Sequence, residues 1–355
     1  MSAARSARPP RVIRHGEHLS LRLRPRPPAV IAGTALLALA VAVLSLGTGD
    51  FPLGPADVLR TLAGHGSPVD TFIVDRVRLP RVLTGLLVGG TLALSGAVFQ
   101  SVVRNPLGSP DMLGFTQGAS AGALIVIVVT GGGSAAVAGG AVAGGVATGA
   151  LIYALAWRKG VHGGRLILVG VGVAAFLSGV NGYLLTRAQL QDAQSAMLWL
   201  TGSLDGAGWG GTLPLLAAMA VLAPVVLLGC GRGLHALELG DDTATALGVR
   251  VGRQRLVLLA SAVLLASCAA AAAGPVSFVA LTAPQLARRL TRAPGPNLLA
   301  SLCTGAALLV SADWVAQRLI SDNPLPVGVV TGALGGGYLV WLLATERGTG
   351  RGRQA

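Results

Sequence analysis

The sequence predicts an all-α, polytopic membrane protein with about ten transmembrane helices and both termini on the cytoplasmic side. Of its 355 residues, 52% are hydrophobic and only 12% are charged. A soluble domain of this length needs far more polar surface. The chain also contains 52 glycines, and small residues allow membrane helices to pack closely. GxxxG pairs such as Gly118/Gly122 and Gly140/Gly144 fit a tight bundle.

The N-terminal region has two parts. Residues 1–28 are rich in arginine and proline, which predicts a disordered basic cytoplasmic tail. Residues 29–47 carry no charge and are about long enough to cross ~30 Å of hydrocarbon. A signal peptide is the alternative, but its basic and apolar regions would both be too long, and no A-x-A-like site follows. We therefore interpret this segment as an uncleaved first helix.

Nine further apolar segments complete the predicted set of ten. The least distinct boundary is the Gly274-Pro275 pair, which we interpret as a helix break because such a pair interrupts a helix. The transmembrane domain is predicted over residues 29–345, with a cytoplasmic tail over 346–355. The predicted spans are 29–47, 81–102, 112–130, 134–157, 166–186, 209–230, 256–273, 274–290, 298–317 and 326–344.

The charge distribution orients these spans. A net charge of +13 could indicate nucleic-acid binding, but only 4% of residues are aromatic and the arginines lie at the ends of apolar segments. The positive-inside rule explains this pattern better, and we expect no nucleic-acid partner. With the N-terminus inside, the basic residues left outside are Arg60, Arg76, Arg78, Arg81, Arg187 and Arg318.

Motifs of catalysis are missing. Lys159 is the only lysine, and Gly160 follows it where a P-loop requires Ser or Thr. No HExxH motif occurs, and the histidines lie in tails or loops. The three cysteines, Cys230, Cys268 and Cys303, are far apart and are interpreted as buried apolar residues. We therefore expect no enzyme, no catalytic residue, no metal site and no cofactor.

Ionisable residues inside the spans are nearly absent, although they are usual in ion-coupled transporters. Asp313 is the main exception, and we favour a carboxylate paired with a neighbouring arginine over a proton site. Gln100, Gln117 and Asn181 could line a polar path or form interhelical hydrogen bonds. The sequence leaves both alternatives open.

One charged stretch, ELGDDTATALGVRVGRQR at 238–255, lies between apolar segments and faces the cytoplasm on this topology. It predicts a short helix that Asp241 or Asp242 caps, with Gly248 in the left-handed position after it. The small residues and single leucine of 243–247 give a low-profile face. Defined helix ends favour docking on a partner over a solvated loop.

Several ordered motifs between residues 78 and 343 resemble those of one family. They include RLPRVLTGLLVGGTLALSGAVFQ at 78–100, RNPLGSPDMLGFTQGASAG from 104, LWLTGSLDGAGW from 198, LELGDDTATALGV from 237 and GPVSFVALTAPQLARRL from 274. This set resembles the FecCD family, the permeases of ABC importers of ferric siderophores, haem and cobalamin. The chain departs from the family pattern at Ala280, Gln285 and Pro324, where Gly, His and Glu are usual.

The resemblance implies a membrane-spanning permease subunit of an ATP-driven importer, with a ferric siderophore as substrate. It also implies a separate cytoplasmic ABC ATPase, an extracytoplasmic substrate-binding protein and a second permease copy or paralogue, in the cytoplasmic membrane of a bacterium. In the family, the substrate path runs along the permease interface. An ion-coupled secondary transporter is the alternative, and a membrane scaffold is a third, poorer interpretation.

The resemblance also assigns three sets of residues. Arg78, Arg81 and Arg318 would dock the binding protein, with membrane anchors or partners for Asp75, Asp313 or Asp322 as the alternative. Val161, Gly163 and Gly164 would form an inner gate before the helix at 166–186, with a plain turn as the alternative. The residues expected to couple to the ATPase are Leu239, Gly240, Asp241, Asp242, Ala244, Leu247 and Gly248.

Overall fold

Helices make up most of the described residues in the computed structural model, which describes residues 11–15, 19–23, 25–49, 51–157, 163–319 and 325–350. Stretches of π-helix, Phe72–Arg78, Val126–Thr130 and Val225–Gly229, lie before α4, after α5 and after α9. The α-helices of the described residues are α1 Arg26–Gly47, α2 Pro55–Leu62, α3 Pro68–Thr71, α4 Leu79–Val103, α5 Phe115–Ile125, α6 Ser134–Ala156, α7 Gly163–Arg187, α8 Leu190–Leu200, α9 Trp209–Pro224, α10 Gly231–Glu238, α11 Asp241–Ala246, α12 Val251–Ala273, α13 Val279–Thr291, α14 Leu298–Leu319 and α15 Val327–Gly350.

The predicted membrane fold is confirmed. Each of the ten predicted spans overlaps one of these helices. By length and composition, seven helical stretches in the described part of the chain can cross a membrane, and Phe115–Thr130 and Val327–Trp341 are shorter apolar helices. The tenth, α13, has 13 residues. The number of crossings and the cytoplasmic placement of both termini stay predictions.

The two ends of the chain differ in detail from the sequence expectation. A short antiparallel hairpin, Arg11–His15 with Leu19–Leu23, precedes the first helix. Its Val, Ile and Leu residues suit a strand. The first helix, α1, begins at Arg26, with proline in its first turn, where proline costs no hydrogen bond. At the other end α15 continues to Gly350, so the predicted boundary at 345 is not a helix end.

Helix α4 forms the centre of the bundle. Every residue from Val88 to Val103 is buried, and α4 packs against α9, α12, α13 and α14. Glycines permit the closest approaches: a Cβ atom at Gly89 would overlap the carbonyl of Gly305 in α14. The predicted glycine pairs of α5 and α6 also meet, because Gly118 and Gly122 lie against Gly144 and Gly140. Close contacts of this kind drive helix association inside a bilayer, where the hydrophobic effect does not act between helices.

Two helices start deep within the bundle. Gly114, just before α5, lies against Ala174, which is about 16 Å along α7 from its first residue at 1.5 Å per residue. The start of α13 lies equally deep, because Ala280 packs its backbone on Gly96 in the middle of α4. The predicted span 274–290 is therefore corrected: residues 274–278 are irregular and only Val279–Thr291 is helical. Non-helical backbone at such depth requires protein partners.

Candidate functional sites at the two ends of the bundle

The charged stretch at 238–255 contains the short helix α11, which Leu239 and Gly240, the latter with a φ of +115°, join to the end of α10. The predicted cap is wrong: Gly240 occupies the N-cap, Asp241 is the first helical residue, and no side chain caps α11. The predicted left-handed stop is confirmed, since Gly248 has a φ of +80°.

Asp241 does not cap the helix because its carboxylate binds two arginines. Nη2 of Arg104 and Nη2 of Arg255 donate to the same oxygen, Oδ1, at 3.0 and 2.9 Å. Arg104 ends α4 in the left-handed conformation, and Arg255 lies in the first turns of α12 with 5% exposure. A second link joins Ser101 to Glu238 Oε1 at 2.8 Å. The charges therefore fasten α11 to the inner ends of α4 and α12.

The residues expected to couple to an ATPase divide into exposed and buried ones. Leu239 and Leu247 are 68% and 64% exposed, and Asp242 is also exposed. Ala244 corrects the expectation, because its side chain is fully buried in the chain's own core. It supports α11 from below and presents no surface to a partner. Gly240 and Gly248 provide the turns on either side.

At the opposite end, Arg81 is held inside the bundle. Its Nε and Nη2 atoms donate to the two carboxylate oxygens of Asp313 at 3.1 and 2.9 Å, and its Nη1 donates to Asp205. Asp313 is 2% exposed and also accepts from Gln317 at 2.7 Å. The interpretation of Asp313 as a paired carboxylate is confirmed. Arg81 is therefore a partner of Asp313, which is the alternative to docking a binding protein. The bidentate ion pair fixes the orientation of its guanidinium group.

The other two predicted docking arginines also have intramolecular contacts. Arg78 donates to the carbonyls of Leu46 and Phe51 at 2.8 and 2.6 Å, which fastens the outer end of α1. Arg318 donates to the carbonyl of Trp314 at 2.9 Å, and its guanidinium lies 4.4 Å from the centre of the Trp314 ring. Of the three arginines, only Arg318 has its described contacts confined to its own helix. Asp322 lies outside the described residues.

A cavity of about 760 Å³ opens beside Arg81 at the outer end. Its polar lining comes from Asp192 and Ser195 of α8, from Ser203 and Asp205 in the following loop, and from Ser134 of α6. Helix α8 was not predicted, because it lies between two apolar segments and is too short to cross a membrane. The cavity therefore has an acidic rim, of which Asp205 is already paired with Arg81.

The predicted inner gate is placed only in part. Val161 lies outside the described residues. Gly163 and Gly164 begin α7 and so belong to a helix and not to a loop. A Cβ atom at Gly163 would lie 2.9 Å from the carbonyl oxygen of Val103, whereas Gly164 has open space around it. Gly163 is therefore the point where α7 touches the inner end of α4.

The polar residues inside the bundle join helices. Gln100 donates to the carbonyl of Leu281 at 3.0 Å and accepts from Arg288. Asn181 donates to Oε1 of Gln117 at 3.0 Å. Interhelical hydrogen bonding, one of the two alternatives for these residues, is thus observed.

The loop after α4 carries a partly buried carboxylate that the sequence analysis missed. The carboxylate of Asp111 accepts from Thr116 at 2.6 Å and from the backbone amide of Phe278. It thereby joins the starts of the two deep helices α5 and α13. Gln285, one of the departures from the family pattern, adds a bond to the carbonyl of Pro106 at 2.8 Å. Interrupted short helices are the sequence signal for such sites.

Comparison with known proteins gives full-length matches. The profile of the FecCD transport family matches residues 36–345. The ferric enterobactin transport system permease protein FepG of Escherichia coli (strain K12) is 44% identical over 320 residues, covering 88% of this chain and 96% of FepG. The achromobactin transport system permease protein CbrC of Dickeya dadantii (strain 3937) is 41% identical over 316 residues, covering 88% and 90%.

A solved structure is similar over nearly the same length. It is described as a metal-chelate type ABC transporter in an inward-facing conformation. Its TM-score is 0.77 at 29% sequence identity, and the match covers 90% of this chain and 99% of that chain.

Proposed function

The chain belongs to the FecCD transport family, and on that premise we propose that it is the membrane-spanning permease subunit of a bacterial ATP-driven importer of ferric siderophores. The substrate class follows from the relatives named for ferric enterobactin and achromobactin transport, which match along almost their whole length. The chain forms the path, and a separate ATPase supplies the energy.

The observation that carries the proposal is the fastened helix α11. Two ion pairs hold it against α4 and α12, while Leu239 and Leu247 point away from the chain's own core and are mostly exposed. Leu239 and Leu247 flank this rigidly held helix, and exposed leucines so placed suit insertion into a partner's groove. We assign this face, with Asp242 and the turns at Gly240 and Gly248, to contact with the cytoplasmic ATPase.

At the outer end, the binding protein would approach the acidic cavity and its surroundings. Arg81 and Arg78 stabilise this end from inside, through Asp313 and through the end of α1. Arg318 is the member of the predicted set that is best placed to meet a carboxylate on the binding protein, because its contacts lie within one helix.

The path itself would lie between two permease copies or paralogues, along α7. Only Leu166, Gly170 and Asn181 of this helix are buried, and its exposed residues would line the interface. Gly163 and Gly164, where α7 begins beside Val103, would act with Val161 at the inner end of that path.

Uptake experiments test the proposal. Cells that lack the chain should take up less iron-55 supplied as ferric enterobactin or another ferric siderophore, and the full chain should restore uptake. Labelled haem and cobalamin serve as comparison substrates. Equal uptake of every ferric siderophore with and without the chain would contradict the substrate class, and failure of an ATPase to co-purify would contradict the coupling assignment.

A further inference from the structure

An apolar groove runs along the outside of the bundle between α6 and α12, in their cytoplasmic halves. It has a volume of about 310 Å³. The floor forms where a Cβ atom at Gly149 would meet the side chain of Val263 at 2.8 Å, so the helices touch below it and diverge above. The walls come mainly from Val146, Ala150, Tyr153, Leu256, Ala260 and Leu264.

The cytoplasmic mouth of this groove is aromatic on one side. Tyr153 and Trp157 stand one turn apart on α6, with ring centres 5.6 Å apart, and Trp157 is 53% exposed. Tryptophan and tyrosine have an apolar ring and a polar group that contacts water, so they prefer the level of the lipid headgroups. The groove therefore begins at headgroup level and extends into the acyl-chain region.

The other side of the mouth is cationic. Arg253 lies in the first turn of α12, three residues before Leu256 and seven before Ala260, so helical periodicity places it on the groove face. It is exposed, and no hydrogen bond or ion pair links it to another residue in the described part of the chain. Arg165 adds a second charge beside α6, where it donates to the carbonyl of Leu155 at 3.1 Å.

We propose that this groove binds one anionic phospholipid of the cytoplasmic leaflet, with an acyl chain between α6 and α12 and the phosphate at Arg253. An apolar slot with a basic mouth at the headgroup level matches both ends of such a lipid. A zwitterionic lipid would satisfy the slot and leave the excess positive charge unmatched. This inference concerns the chain itself and does not depend on the transported substrate.

Native mass spectrometry of the purified full-length chain tests the proposal. The chain is exposed to equal amounts of phosphatidylglycerol and phosphatidylcholine with identical acyl chains. The parent should retain phosphatidylglycerol preferentially. Arg253→Ala should reduce that retention about fivefold and leave phosphatidylcholine unchanged. Ala260→Phe, which fills the groove from its exposed rim, should reduce retention of both lipids.

Arg232→Ala is the matched control, because Arg232 is an exposed arginine on α10 away from the groove. It should retain both lipids like the parent. Equal retention of the two lipids by the parent, an unchanged Arg253→Ala variant, or an equal loss in Arg232→Ala would each overturn the proposal. Disulfide cross-linking between copies through Ala260→Cys, absent from the parent with its three native cysteines, would assign the groove to a permease interface instead.

Discussion

Helices α4 and α7 have the same length and similar apolar character, yet they occupy opposite situations. Each contains 25 residues. In α4 nearly every residue of the last four turns is buried, whereas in α7 only three residues are. The difference shows that apolar composition identifies a membrane helix. It does not reveal whether that helix packs inside its own chain or keeps an exposed face for a lipid or a partner. In α4 the side chains are fixed by packing within the chain. In α7 the exposed side chains remain available for contact with another chain.

The largest effect is expected from a glycine of α4. Gly96→Ala places a methyl group on the backbone carbonyl of Ala280, and backbone cannot move aside as a side chain can. We expect loss of most of the monodisperse protein, measured by size-exclusion chromatography of a fluorescent fusion. Gly179→Ala on α7, which has open space around it, is the matched control and should behave like the parent. Similar behaviour of the two variants would remove the proposed contrast between the helices.

The next effect concerns the ion pair at the outer end of α4. Arg81→Ala leaves the carboxylate of Asp313 buried, with Gln317 as its remaining hydrogen-bond partner among the described residues, and breaking such a pair costs about 3 to 5 kcal/mol. Thermal unfolding should show a clear loss. The double variant Arg81→Met with Asp313→Leu should recover most of it, because apolar residues of similar volume remove both charges together. If the double variant is as unstable as Arg81→Ala, the loss of stability does not come from an unpaired buried charge, and the prediction is wrong.

The same substitution should have opposite consequences inside α11, at Ala244, and just after its end, at Leu247. Ala244→Arg forces a charge into the chain's own core, so the amount of folded chain should fall. Leu247→Arg changes an exposed side chain, so the amount in the membrane should persist while uptake and ATPase coupling are lost. Immunoblotting of membranes and transport assays separate the two outcomes. Normal transport by Leu247→Arg would contradict the ATPase contact.

The smallest effect is expected at Arg318. Arg318→Glu should weaken association with the binding protein by about 1 kcal/mol at physiological salt, since exposed charges at the rim of an interface are screened. Association measured across a salt series should show a shallower dependence than in the parent. An unchanged affinity and salt dependence would leave Arg318 as a membrane-end anchor packed on Trp314.

Local patterns in the sequence predict the helices well and their depths poorly. Hydrophobic length located α1, α6, α9, α12 and α14, and the Gly274-Pro275 pair marked a real break. The depth of Asp111 cannot be predicted locally. A turn-rich loop beside an apolar segment has the same sequence pattern whether it lies at the surface or enters the bundle.

The local sequence pattern also does not predict which groups the charged side chains pair with. The sequence predicts that Asp241 or Asp242 caps α11, but Arg104 and Arg255 compete for the Asp241 carboxylate and bind it more strongly than a backbone amide does. Arg81 and Asp313 are 232 residues apart in the chain, so only the folded arrangement selects this pair among the alternatives.

The short helix α13 has a consequence for how the protein is made. Its 13 residues extend about 20 Å at 1.5 Å per residue, which is less than the thickness of the hydrocarbon layer. Helix α13 is therefore too short to span the bilayer as an independent unit. The amide of Phe278, just before it, donates to Asp111, and Gln100 of α4 donates to the carbonyl of Leu281 in its first turn. Backbone at this depth needs such protein partners. We therefore expect α13 to insert stably only after α4 and the loop at Asp111 are in place, so these earlier segments would form the surface on which α13 assembles.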